Sequence, residues 1–321
     1  MVLESVRERP VVGQNPEAVA IGSLFVTLFA VYVWMRLVAS VGYRQLRNVL
    51  DLGGTGPFHV LTVPSFVMYV GGFALGAVVY ARVSGIEIPF GFPASDDLLV
   101  TAATVLSAPL LVAVAGIAAI FAFDTSMVAM AQVRYAPEAR LSFLVFSSFV
   151  PSLLKGLGYG LLFFGVVHER LREETTPRHA LVLTPVVAWF FWEMHSLALT
   201  RFLVPAALAH FALLVLVGVA FGSSLGLLYR GAVRDSAGQL VRAVYVPVFT
   251  LGLLGVFGVV SGLDLPEALL DAARLAALGL AAYGYERTRL IWVPVLVVAL
   301  FLVSVDAAAF AESVWVFRGW N

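Results

Sequence analysis

Cysteine is absent from all 321 residues. Its absence excludes disulfides, thiolate metal sites and cysteine nucleophiles. Lysine occurs once, as Lys155, so the basic residues are almost all arginine. Charge of either sign is scarce: 12% of residues are Asp, Glu, Lys or Arg, and the formal net charge is zero. A chain without a basic excess is not a general nucleic-acid binder. No phosphate-binding glycine loop, Gly-x-Ser-x-Gly elbow or His-Glu-x-x-His pair occurs, so the hydrolase and nucleotide-binding classes that those motifs announce find no support. Long linkers, internal repeats and low-complexity tracts are missing too.

Apolar residues fill the space that charge leaves, at 61% of the chain. Soluble domains run nearer one half apolar and about one quarter charged. Water cannot solvate that much apolar surface, so lipid is the expected solvent. The expected fold is all-α, a polytopic transmembrane helical bundle. A hydrocarbon core of about 30 Å takes about 20 apolar residues per helix. Runs of that size fall near 18–40, 58–81, 98–123, 142–167, 180–200, 203–229, 243–262, 268–285 and 290–311. The eighth carries Asp271 and Arg274, so eight spans plus an interfacial helix is the alternative to nine. Residues 1–17 read as a polar segment ahead of a single transmembrane domain, 18–321. The first fifteen residues contain no apolar h-region, and the first long run is expected to act as an uncleaved anchor.

Short connections carry turn chemistry. Asp51-Leu-Gly-Gly-Thr-Gly-Pro57 joins the first two spans, and Ser95 or Asp96 offers an N-cap for the third. Gly71-Gly72-x-x-x-Gly76 reads as a helix-packing face. Alternating nine spans puts 168–179, 230–242 and 286–289 on one side, with Arg170, Arg172, Arg178, Arg230, Arg234, Arg242, Arg287 and Arg289. That side is expected to be cytoplasmic, in the plasma membrane. Arg44, Arg47, Arg134 and Arg140 fall on the other side.

Two helices and the stretch between them hold most of the candidate chemistry. The sequence pattern predicts helices over 142–167 and 180–200, joined by a charged loop, His168-Glu-Arg-Leu-Arg-Glu-Glu-Thr-Thr-Pro-Arg-His179. Ionisable groups inside spans are functional by default. Here they are Lys155, Glu193, His195, His210, Asp271 and Asp306. Glu193 and His195 lie two apart, about 200° around a helix, so they do not readily share one ion. His195 with His210, on adjacent spans, is the better metal pair and suits zinc. A lone intramembrane histidine also serves simply to hydrogen-bond a neighbouring helix. Lys155 has Glu193 as an expected partner, or else faces a polar cavity. The charged loop reads as a solvated cytoplasmic segment, or as a contact for lipid headgroups or a partner.

Phe191-Trp-Glu-Met-His195 fits Phe-x-x-x-His, Leu161-Leu-Phe-Phe-Gly-Val-Val-His-Glu-Arg-Leu-Arg172 looks like a helix exit, and Leu225-Gly-Leu-Leu-Tyr-Arg230 precedes a further span. Over about half of the chain, 141–262 above all, this resembles the CAAX-protease and bacteriocin-processing family of intramembrane metalloproteases. The resemblance implies a Glu-Glu-x-x-x-Arg helix, a Phe-x-x-x-His helix and a third histidine motif that together activate a metal-bound water. The departures are large. In that register the paired glutamates fall on Tyr159 and Gly160, and the arginine falls on Phe164. The third-motif region, Val244-Tyr-Val-Pro-Val-Phe249, has neither histidine nor asparagine. One literal match, Glu173-Glu174-Thr-Thr-Pro-Arg178, contains Pro177, which blocks a continuing helix.

The leading expectation is therefore a catalytically silent, pseudoprotease-like membrane protein with no cofactor. It would bind membrane lipid and a membrane protein or lipidated peptide, and no nucleic acid. An active intramembrane metallopeptidase is the alternative, with Glu193 or Glu174 as base, His195 and His210 as ligands, and zinc or another divalent metal. A small-molecule transporter, built around Lys155, Pro151, Pro185 and Pro205, is the third reading.

Overall fold

A computed structural model describes residues 58–91, 93–174, 176–196 and 265–316, and a scattered set between 27 and 45. The chain divides into two compact units, Met1–Trp189 with Leu269–Asn321, and Phe190–Ala268. Of the second, the described residues are the last turns of one helix and the first turn of another. The described residues are all-helical, with no strand among them.

The first unit is built from α1 (Val63–Ser84), α2 (Leu98–Phe123), the short α3 (Met127–Ala131), α4 (Leu141–Glu173), the start of α5 (Pro177–Ser196), most of α6 (Leu265–Thr288) and α7 (Trp292–Val316). Among the described residues, α1, α2, α4 and α7 are the four helices long and apolar enough to cross a membrane. They coincide with four of the expected spans. The 203–229 and 243–262 spans lie outside the described residues. α6 exists as a 24-residue helix but falls short of an apolar span. Asp271 and Arg274 are the reason: they interrupt its apolar run and pair with each other at 2.7 Å, one helical turn apart.

The surface of α2 shows which solvent this unit meets. Its buried positions are small or slender, Thr104, Ala108, Val112, Ala115 and Ala119. Its outward positions are Leu99, Leu106, Leu110, Val114, Ile117 and Phe121, spaced mostly by three and four. Leu99 and Phe121 are 80% and 85% exposed. A soluble helix turns its large apolar side chains inward. Here small residues face the neighbouring helix and bulky ones face out, as lipid-exposed helices do. The chain is a membrane protein.

α4 is the central helix. In its most apolar window 67% of residues are buried, against 33% in α2. Three glycines let its neighbours approach. A Cβ at Gly156 would lie 2.5 Å from the Val295 carbonyl oxygen and 2.9 Å from Ala299 Cβ. One at Gly160 would run into the Val295 side chain, and one at Gly158 would lie 2.9 Å from the Tyr69 carbonyl oxygen. So Gly156 and Gly160 seat α7, and Gly158 seats α1. Close helix contact through small residues supplies dispersion energy where lipid gives no hydrophobic drive between helices. The Gly71–Gly76 stripe works in the same way. A Cβ on Gly72 would come within 3.0 Å of Met35 Cγ and 3.2 Å of Met35 Cα, while Gly76 faces Val31 and Trp34.

Two helix ends differ from expectation. The charged stretch after Val167 is not a loop: helix continues through Glu174, and α5 starts at Pro177. Glu169-Arg-Leu-Arg-Glu-Glu174 are all strong helix formers, and Arg170 and Glu173 pair at 3.4 Å along it. Proline then takes the first position of the next helix, where its missing N–H costs nothing. The third span begins at Leu98 as expected, but its cap is neither Ser95 nor Asp96. Ser95–Asp97 form a 3-10 turn, and Asp97 occupies the N-cap position without a side-chain cap bond.

Helix direction sorts the connections into two ends. At one end the backbone N–H of Ile291 donates to Pro89 O at 3.2 Å, and residues 168–172 meet 286–289. At the other, the N–H of Val128 donates to Glu312 Oε2 at 2.8 Å and that of Tyr135 to Ser313 Oγ at 3.2 Å.

Candidate functional site

α4 has 33 residues, about 50 Å at ~1.5 Å rise per residue. That exceeds the hydrocarbon thickness, so its last two turns project charged residues past the apolar core. They meet the end of α6 in the densest polar cluster described. His168 is fully buried there. Its Nε2 lies 3.0 Å from Glu286 Oε2, and its Nδ1 lies 3.0 Å from the hydroxyl of Thr184 on α5. One neutral tautomer satisfies both contacts: Nε2–H donates to the carboxylate, and Nδ1 accepts from Thr184. The tautomer follows from the network of partners.

Two arginines complete the cluster. Arg172 Nε donates to Glu286 Oε1 at 3.2 Å, and Arg289 Nη2 donates to Glu169 Oε2 at 2.7 Å. Arg289 also lies 5.3 Å over the Tyr285 ring, and that ring meets His168 edge-on at 5.4 Å. Burial works against the Arg289 charge, but the hydrogen bond and charge of Glu169 outweigh it and raise its pKa. Two carboxylates, two guanidiniums and a neutral imidazole leave the cluster without formal charge. Both His168 nitrogens and both Glu286 oxygens are engaged within the cluster. The arrangement ties helix ends together.

Sequence reasoning counted Arg172, Arg287 and Arg289 as orientation signals and missed the His168–Glu286 pair. The available signal was complementary charge at matched depth: His-Glu-x-x-Arg closing one apolar helix, and Glu-Arg-x-Arg closing another.

The expected catalytic and metal residues are distributed as follows. Glu193 and His195 lie in the last turns of α5, and Glu174 ends the helix that continues from α4; their side chains are outside the described residues, as is all of His210. Thr176, between Glu174 and Arg178, is outside any helix, so the literal Glu-Glu-x-x-x-Arg match does not share one helix. Among the described residues, no group of three His, Asp or Glu could hold a metal.

The positions that the protease register reserves for its first motif are fully described. Tyr159 and Phe164 are completely buried. Tyr159 packs on Phe73 at 5.3 Å and Phe163 at 5.2 Å between ring centroids. Gly160 is buried against Val295. Lys155, one turn earlier, holds its ammonium 5.9 Å over the Tyr69 ring and 5.6 Å over the Tyr159 ring. It lies within electrostatic reach of Asp306 on α7. An intramembrane cation is thus cushioned by two π faces and an opposing carboxylate. The expected partner Glu193 has its side chain outside the described residues.

Comparison with protein-family models, curated proteins and solved structures finds no match for this chain.

Proposed function

We propose that this is a plasma-membrane protein of eight or nine spans that works by binding. It carries a CAAX-protease-like scaffold without the catalytic set. Its partner would be a membrane protein or a lipidated peptide. One observation carries the reading: the sites of the paired glutamates and arginine are occupied by Tyr159, Gly160 and Phe164, in a buried helix contact. Hydrolysis by a metal-bound water needs a base, ligands and room for the water. A side chain at position 160 would have to displace Val295.

The test is metal analysis of the purified full-length chain, together with a cleavage assay on a tethered membrane substrate. The expected result is zinc well below one per chain, no cleavage, and no change in either on His195→Ala. Stoichiometric zinc that disappears with His195→Ala or His210→Ala would overturn the reading. It would favour the active site built from Glu193 or Glu174 with the two histidines.

A further inference from the structure

At the end of the unit away from His168 lies a cavity of about 430 Å³. Asp306, inside the α7 span, lines it together with Ser147 of α4. The 133–139 segment forms its rim, with Arg134 and Glu138 exposed at the opening. Tyr135 and Phe143 also line it, packed edge to face at 6.1 Å between centroids. The remaining wall is apolar.

Three features define what would fit. Formal charge on the lining is one negative in excess: Asp306 and Glu138 against Arg134. Lys155, which offsets Asp306 from within the bundle, does not line the cavity. The Ser147 hydroxyl is buried beside the Tyr135 phenol and both line the cavity, where their oxygens can accept from a donor. Burial and the Asp306 charge hold the Tyr135 phenol well above its ordinary pKa, so it stays a neutral hydroxyl. The volume is at the low end for small-molecule sites. A bare metal cation would need about six oxygen ligands, more than this lining supplies. An organic ammonium needs fewer, and it gains from aromatic faces.

We propose that this cavity is a binding site for a small organic cation, an ammonium group on a short apolar body. The ammonium pairs with Asp306 and Ser147, and the apolar body lies against Tyr135 and Phe143. The site is independent of the scaffold reading, because every residue in it belongs to the first unit and none is a protease position.

The experiment is calorimetric titration of the full-length chain in lipid nanodiscs with three matched probes, benzylamine, benzyl alcohol and benzoate. Benzylamine is expected to bind saturably, one per chain, and the other two are not. Asp306→Asn, which keeps the side-chain shape, is expected to weaken benzylamine by at least about tenfold, the usual loss for a charge-assisted hydrogen bond. Asp124→Asn, an exposed carboxylate outside the lining, should leave binding unchanged. Equal binding of benzyl alcohol, preference for benzoate, or undiminished benzylamine binding in folded Asp306→Asn would each overturn the proposal. The probe comparison uses the unmodified chain, so the proposal stays testable even where Asp306→Asn fails to fold.

Discussion

His168 Nε2 meets Glu286 Oε2 at 3.0 Å, joining helix ends 118 residues apart in sequence. Glu286 is also the anchor for Arg172 and lies 3.7 Å from an Arg289 nitrogen. Removing the carboxylate strips a buried imidazole and a guanidinium of partners at once. Glu286→Ala is expected to destabilise the protein by roughly 1–3 kcal/mol, chiefly because it leaves the buried His168 imidazole without its hydrogen-bond partner; Arg172 and Arg289 are more than a third exposed and lose less. His168→Ala should cost less, because Arg172 and Arg289 still neutralise Glu286. A double-mutant cycle on thermal unfolding in detergent measures the coupling, expected at about 1 kcal/mol or more. Strict additivity of the two changes would mean that the contact holds nothing.

The two glycines that seat α7 make different demands. At Gly160 the obstacle to a Cβ is the Val295 side chain; at Gly156 it is the Val295 carbonyl oxygen. Overpacking costs about 1–3 kcal/mol in either case, but only the first can be relieved by trimming a side chain. Gly160→Ala should be destabilising alone and recover most of the loss with Val295→Ala. Gly156→Ala should gain nothing from the same second change. Melting temperatures of the five variants decide it, and rescue of both glycines alike would contradict the packing described here.

Much of this fold was legible in the sequence because apolar run length is a direct signal. The runs near 58–81, 98–123, 142–167 and 290–311 became α1, α2, α4 and α7. The Gly71–Gly76 stripe announced a packing face, and Asp271 with Arg274 marked α6 as the weak span. The charged stretch misled because charge density was taken as a loop signal. Residues 169–174 are charged but strong helix formers, and nothing before Pro177 breaks them. The His168–Glu286 contact was invisible because run length does not say which helix ends meet. The cavity beside Asp306 depends on how the 133–139 segment folds back, which local pattern does not encode.

Orientation has a clean assay because the chain lacks cysteine. Among the described residues, Arg82, Arg170, Arg172, Arg287 and Arg289 gather at the His168 end, against Arg134 and Arg140 at the other. Arginine bias predicts that the richer end is cytoplasmic. Single replacements Asp124→Cys and Glu138→Cys should react with an impermeant maleimide on intact cells. Glu173→Cys and Arg287→Cys should react only after permeabilisation. The reverse pattern would invert the topology, and labelling of all four on intact cells would mean that the two ends are not on opposite faces of the membrane.

Lys155 and Asp306 offer the sharpest test of how this bundle tolerates charge. Each lies within an apolar span, Lys155 on α4 and Asp306 on α7, where an unpaired charge is expensive. The aromatic faces of Tyr69 and Tyr159 hold the ammonium in place, but a ring quadrupole offsets only part of the desolvation of a cation. The Asp306 carboxylate adds an opposing charge. Lys155→Met should therefore destabilise by roughly 2–3 kcal/mol, chiefly by stranding Asp306 rather than by losing the contacts to the rings. Replacing both, as Lys155→Met with Asp306→Leu, should return the protein close to its original stability or above it, because neither charge then has to leave water. Unfolding followed in detergent compares the two variants. A double variant weaker than Lys155→Met alone would mean that the two charges do not compensate one another, and that each is held by other groups.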